Sequence, residues 1–296
     1  MSTLHLYAIT TLIWGSTWLA ITFQLGVVPP AVSIVWRFAL SALILLAYAL
    51  WRRLPLRFSA RDHLWMAVQG FLMFGLSYVC VYLAEEDLTS GLVAVVFSII
   101  VFWNIIGMRL FFGTAVNPAT LFAASLGVAG VVLVFWPEIA NFSTSSRAAR
   151  GLLFALVGTV AASLGNMIAL RNQHHRIPIV PLIGWAMGYS TIFIAIYAAL
   201  SGDEFAFEWS FSYVASLIYL ALFGSVLAFA FYLTLIKRIG ADRAGYIGAA
   251  VPVVALLLST LFEDLQWQAS MVVGVLLCIA GNVLILRGGD RRAPAS

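Results

Sequence analysis

Apolar stretches of membrane-crossing length recur from one end of this chain to the other, and no other feature narrows its fold as much. A hydrocarbon core about 30 Å thick takes about 20 apolar residues in an α-helix. The 296 residues divide into ten such runs: 4–24, 32–51, 63–84, 88–108, 117–136, 151–171, 179–200, 211–236, 242–262 and 267–287. Lipid offers no partner to a bare N–H or C=O, so each run is expected to cross as a helix that satisfies its own backbone. A water-soluble domain is excluded by composition: 63% of residues are hydrophobic and 9% charged, against about 25% charged in ordinary soluble domains. Pro29, Pro30, Pro55, Pro118, Pro137, Pro178 and Pro181 fall at or between run ends, where a missing N–H costs little. Pro252 alone lies deep in a run, so a kink is expected in the ninth helix. No Lys or Arg precedes the first run and no small-residue cleavage site follows it, so it is expected to remain as a span.

Charge sets an expected orientation. With both termini cytoplasmic, thirteen of the sixteen basic residues fall on the inner side, the arrangement that short loops favour. Nine of the twelve carboxylates, Glu85, Glu86, Asp87 and Glu263 among them, fall on the outer side. The net charge of +4 therefore reflects membrane orientation, and nucleic acid is not an expected partner. Cys80 and Cys278 lie in apolar runs without a CxxC spacing, and His5, His63, His174 and His175 fall near helix ends. Neither a disulfide, a metal nor any other cofactor is expected.

Internal similarity predicts two halves. An offset of about 149 to 153 residues places Trp36 over Trp185, Phe74-Gly75 over Phe223-Gly224, Tyr82-Leu83 over Tyr232-Leu233, and AGVVL (129–133) over AGNVL (280–284). Five is odd, so the second half would enter the membrane from the opposite side, with a substrate path where the halves meet. The expected fold is an all-α polytopic membrane protein of ten transmembrane helices in two inverted five-helix repeats. Its division is a first repeat at 1–137, an outer linker at 138–150, a second repeat at 151–288 and a cytoplasmic tail at 289–296. IWGSTWLAI in the first run, the pair Arg37-Phe38 in the second and the AGxVL endings of the fifth and tenth complete a set of motifs. Through them, and over nearly the whole chain, the sequence resembles the EamA-type permeases of the drug/metabolite transporter superfamily. Within that group it is similar to YddG-type amino-acid exporters. One departure is Gly113-Thr114 where a Gly-Glu is common, with Glu263 in the corresponding place after the ninth run. The resemblance implies a bacterial inner-membrane permease for small organic molecules, amino acids including aromatic ones, or alternatively a drug or metabolite efflux carrier.

A substrate site can be placed by helical spacing. Trp14 and Trp18 lie four apart on one face of the first helix, and Phe74, Tyr78 and Tyr82 repeat that spacing on the third. Phe97, Trp103 and Asn104 occupy the fourth helix and Asn166 the sixth. Polar atoms on deeply placed Trp, Tyr and Asn need partners away from hydrocarbon, so these residues are expected to line an inward cavity. Trp51, Trp65, Trp136, Trp209 and Trp267, at run ends, are expected in the interfacial belt, and Asn282 in an interhelical hydrogen bond. Arg37, the one cation clearly inside a run, either snorkels to the outer interface or holds a substrate carboxylate. No carboxylate or histidine sits near a midplane, which predicts uniport, or at most coupling through Glu85 and Glu86 at the outer mouth. Pro252, Gly245 and Gly248 are the expected hinge points. The sequence holds no nucleotide-binding loop, no Ser/His, Asp/Asp or metal-ligand set within a run and no charge ring or carbonyl filter, so an ATP-driven pump is not expected and an intramembrane enzyme or a channel is a lesser alternative.

Overall fold

The computed structural model describes residues 1–113, 115, 118–136, 147–232, 234, 235, 238 and 247–289. Along them run α1 (Thr3–Thr22), α2 (Pro30–Trp51), α3 (Ala60–Glu85), α4 (Ser90–Phe112) and α5 (Pro118–Val134). Then follow α6 (Arg147–His174), α7 (Ile179–Ser201), α8 (Phe211–Tyr232), α9 (Ile247–Phe262) and α10 (Ala269–Gly289). Seven of these, α1 to α4 and α6 to α8, are long and apolar enough to cross a membrane; α5, α9 and α10 contribute shorter apolar helices among the described residues. Local sequence explains the ends. Ser2, Ser59 and Ser210 cap α1, α3 and α8 by accepting from the backbone N–H three residues on. Pro30 and Pro118 open α2 and α5, while Gly113 and Gly202 close α4 and α7 with φ of 67° and 78°. α6 begins before the expected 151 because Arg147 and Arg150 already turn helically, both reaching Asp87.

Two helices depart from α geometry at matching places. Gly70–Leu76 in α3 and Tyr219–Leu227 in α8 are π-helical, and both contain the Phe-Gly pair that the 149-residue offset aligns. A π turn widens the helix and shifts carbonyls out of their usual pairing, which frees them for outside partners. Trp14 Nε1 takes one, donating to the carbonyl of Gly224 at 3.2 Å. α4 tightens instead: Ser98 turns its hydroxyl onto the Val95 carbonyl at 2.7 Å, and the helix resumes at Ile100. The sequence reading had anticipated none of these three interruptions.

Extensive contacts join α3 to α6, and also α2 to α7 and α5 to α10, the last two being pairs whose members stand five helices apart. At α5–α10 the backbones nearly touch. A β-carbon on Gly130 would lie 2.5 Å from the Gly274 carbonyl oxygen, and one on Gly281 would lie 2.5 Å from that of Ala123. Gly130 and Gly281, like Ala123 and Gly274, differ by 151 residues, so each contact is the image of the other. Such close approach is how membrane helices gain packing energy without a hydrophobic driving force. Asn282 does not bond across helices as expected; it donates back to the Cys278 carbonyl of its own helix. Trp51, Trp136, Trp209 and Trp267 are exposed at helix ends. Two main clusters make up the core, one around α2, α3, α7 and α8 and one around α4, α5 and α10. Trp18 and Phe97 pack against both clusters, their ring centroids 5.1 Å apart, and so mark the boundary where the cavity lies.

Candidate functional site

Along that boundary lies a cavity region of three neighbouring lobes of about 170, 310 and 450 Å³ that share lining residues. The smallest lobe is walled by Trp18, Arg37, Phe74, Tyr78, Phe97 and Asn166, among others. A second, sharing Trp18, Tyr78 and Phe97 with it, adds Trp14, Ser98, Gly248, Val251 and Pro252. The largest shares Phe74 and Asn166 and adds Gln69, Asn104, Gln173 and Tyr232. Seven of the nine residues chosen from sequence thus line one or more of these neighbouring lobes.

Tyr82 and Trp103 are the two that do not. Tyr82 continues the Tyr78 stripe by one turn, but the cavity ends at Arg37, Tyr78 and Val81, and Tyr82 is fully buried in the first core cluster. Trp103 neighbours Asn104 in α4, and successive helical residues point about 100° apart. Asn104 faces the cavity, so Trp103 turns to Phe102, 5.2 Å between centroids, and to the second cluster. Of the expected hinges, Gly248 and Pro252 border the cavity, with nothing within 4 Å of a β-carbon on Gly248. Gly245 lies outside the described residues. Pro252 cannot donate to the Gly248 carbonyl, which the adjoining cavity leaves free to meet water or ligand.

Arg37 does not snorkel. It is 2% exposed, with its guanidinium carbon 4.8 Å from the Tyr78 ring centroid and 5.4 Å from that of Phe38. Its Nε and Nη1 are buried and lack hydrogen-bond partners. Ring faces flank the guanidinium, and the Tyr82 hydroxyl and Glu85 carboxylate are its electrostatic neighbours. On the opposite wall, Asn104 Oδ1 accepts from Ser163 Oγ at 2.8 Å and from Asn166 Nδ2 at 3.3 Å. Gln69, which lines the same lobe, accepts through Oε1 from Asn172 Nδ2 at 3.0 Å. Sequence reasoning missed Phe229, which lines all three lobes. The spacing of Phe229 and Tyr232 could have flagged it: both rings meet Trp14, with centroids 5.5 and 5.1 Å away.

The two ends of the bundle differ. At the end carrying Glu85, Asp87 and Glu263, bonds link distant parts of the chain. Arg150 grips Asp87 with two bonds of 2.6 and 2.7 Å, and Glu263 accepts from the backbone N–H of Ser90 at 3.0 Å and from its hydroxyl. Gln24 donates to the Tyr213 carbonyl at 2.8 Å, and Ser33 meets the Tyr213 hydroxyl at 3.0 Å. Glu85 is 7% exposed, and both its oxygens lack partners. The cavity lies away from this closure, its largest lobe reaching Met108, Gln173 and Ile179 near the basic end of the bundle.

A family model described as the EamA-like transporter family matches the chain twice, at residues 1–136 and 149–287. The chain belongs to that family. It is 27% identical over 284 residues to the Escherichia coli (strain K12) protein named "Uncharacterized inner membrane transporter YedA", covering 92% of this chain and 89% of the relative. It is 24% identical to "Uncharacterized transporter YoaV" of Bacillus subtilis (strain 168), with 92% of both covered. A solved crystal structure shares the fold at TM-score 0.68 and 18% identity, over 98% of each chain. This EamA-like chain is therefore a multi-pass membrane protein of a transporter family.

Proposed function

We propose that this EamA-like protein is a permease that carries small organic metabolites, chiefly amino acids including aromatic ones, across a bacterial inner membrane by alternating access. The observation that carries the reading is Arg37, buried at the end of an aromatic-lined cavity with Nε and Nη1 unpartnered. A guanidinium suits a carboxylate, and the rings of Trp18, Phe74, Tyr78 and Phe97 suit an apolar body. YddG-type amino-acid exporters are the group to which this reading assigns it. Counterflow of labelled amino acids in proteoliposomes tests it: aromatic and aliphatic amino acids should exchange, and Arg37→Gln should lower exchange about thirtyfold. Competition by cationic drugs, with no amino-acid exchange, would favour the drug-efflux alternative.

The architecture proposed for this activity has ten crossings in two inverted five-helix repeats, divided at 1–137, 138–150, 151–288 and 289–296. Support comes from the two matches to the family model, the π segments at a 149-residue offset and the mirrored α5–α10 contacts. Both termini are proposed to be cytoplasmic, which puts Glu85, Asp87 and Glu263 outside. The latched end is then the outer gate, and Gly245, Gly248 and Pro252 are the proposed hinges for its opening.

Uniport is the proposed energetics, since no carboxylate or histidine is among the described lining residues. A second reading, coupling at the outer mouth, is favoured by the buried and unpartnered carboxylate of Glu85. Substrate-driven proton flux in proteoliposomes separates them. Uniport gives none, and coupling gives a flux that Glu85→Gln removes.

A further inference from the structure

Pro252 leaves a hydrogen-bond acceptor free on the wall of the second lobe. In the first turn of a helix the N–H groups go unpaired, whereas each carbonyl is met by the N–H four residues on. Gly248 stands in the first described turn of α9, and the residue four on is Pro252, which has no N–H to give. A helical carbonyl points toward the residues three and four ahead of it. Here those are Val251 and Pro252, and both line the second lobe together with Gly248. Gly248 has no side chain to cover the opening, and nothing lies within 4 Å of its β-position.

Other polar groups of this lobe are turned the same way. Thr17 Oγ1 donates to the Trp14 carbonyl and Ser98 Oγ to the Val95 carbonyl, each at 2.7 Å, so lone pairs are what either hydroxyl has left to offer. Trp14 Nε1 is taken up by the Gly224 carbonyl, which leaves the indole ring as its contribution to the lining. Acceptor oxygens among aromatic rings suit a group that carries positive charge and several N–H donors at once. A primary ammonium is such a group.

Resting on the reading of the cavity as the substrate site, we propose that the Gly248 carbonyl, kept free by Pro252, is the recognition point for a substrate's ammonium group. The first and second lobes share Thr17, Trp18 and Tyr78, so a ligand lying across them has Arg37 on one side and Gly248 on the other. Pro252 then sets specificity as a positioning residue, by withholding a donor as well as by bending α9. A residue with an N–H at this place would occupy the carbonyl and take the ammonium's partner away.

Calorimetric titration of the full-length protein in nanodiscs tests this with L-phenylalanine and 3-phenylpropanoate, which has the same ring and carboxylate without the ammonium. L-Phenylalanine should bind about tenfold tighter, as one charge-assisted hydrogen bond implies. In Pro252→Ala the new N–H competes for the Gly248 carbonyl, so L-phenylalanine should fall to the level of the propanoate while the propanoate keeps its affinity. A variant that weakens both ligands together has merely deformed the cavity, and that result overturns the inference, as does a variant that retains the preference. Equal binding of the two ligands by the wild type overturns it as well and leaves the carboxylate reading of the site standing. Binding of neither ligand overturns both the inference and the amino-acid reading. Pro252→Gly restores the same N–H and provides a second variant, and the wild-type pair of ligands decides even where neither variant folds.

Discussion

The two halves of the molecule share their packing and differ in their chemistry. α3 and α8 both widen into π turns around a Phe-Gly pair, and α5 and α10 meet through backbone contacts that are images of each other. Arg37 on α2, in contrast, has Ala186 on α7 as its counterpart at the same offset, and Ala186 is fully buried against the first cluster. Features that recur in both halves hold the bundle together. Arg37, which occurs once, lines the cavity. If the division is right, paired substitutions should act equally at recurrent positions and unequally at the others.

The largest effect is expected at the α5–α10 contact. Gly130→Leu and Gly281→Leu each push a side chain into a backbone 2.5 Å from the β-position, and no rotamer escapes a backbone clash. Each should cost about 3 kcal/mol, the upper part of the usual range for overpacking, read as thermal unfolding in detergent. The two costs should agree within about 0.5 kcal/mol, the ordinary scatter of independent sites. A clear inequality would break the correspondence between the halves.

Next comes Arg37. Arg37→Gln removes a charge-assisted fork worth about 2 kcal/mol to a bound carboxylate, so exchange of carboxylate substrates should fall by about thirtyfold. Ala186→Gly at the matching position should leave substrate affinity unchanged, even where it lowers stability. Proteoliposome exchange with both variants provides the measurement, and equal losses would mean that the asymmetry carries no function.

Sequence revealed most of this arrangement, through different signals of unequal strength. Run length and proline position located the helices because the thickness of the bilayer and the missing N–H act locally. Trp14, Trp18, Tyr78 and Asn166 could be chosen because a polar atom deep in lipid demands a partner. Trp103 was misplaced for the same reason: the rule says a polar atom needs a partner but not which face of α4 turns inward, and its Nε1 is in fact buried without one. Phe229 was missed because a phenylalanine in lipid carries no such demand. Both π segments were invisible, since hydropathy cannot register a change from 3.6 residues per turn. Glu85 reads as a mouth residue in sequence, yet it is buried.

The bond between Glu263 and Ser90 gives an expected effect of middle size. Glu263 follows α9 and caps α4 through Ser90, joining the two halves at one end, whereas the matching position after α4, Thr114, is not a carboxylate. Glu263→Ala should destabilise by about 1 kcal/mol, as loss of a helix cap does, and should speed substrate exchange if this bond holds the gate closed. A fall in stability without any change in exchange rate would limit Glu263 to capping.

The smallest effect tests what keeps the π turns open. In α8, Ser225 donates its hydroxyl to the Leu220 carbonyl at 3.0 Å, five residues back, which satisfies an acceptor that the wide turn exposes. The matching residue of α3 at the 149-residue offset is Leu76, which has no hydroxyl, yet Gly70–Leu76 is π-helical as well. The hydroxyl is therefore not what makes the turn. Packing around the glycines remains: a β-carbon on Gly224 would lie 2.7 Å from the Thr17 methyl, so α1 and α8 meet where the turn widens. Ser225→Ala should accordingly cost only about 0.5 kcal/mol, the low end for a single hydrogen bond, and leave transport intact. Gly224→Ala should lower both. The reverse order, a severe Ser225→Ala and a neutral Gly224→Ala, would mean that the two π turns have separate origins and that their matching positions owe nothing to a shared design.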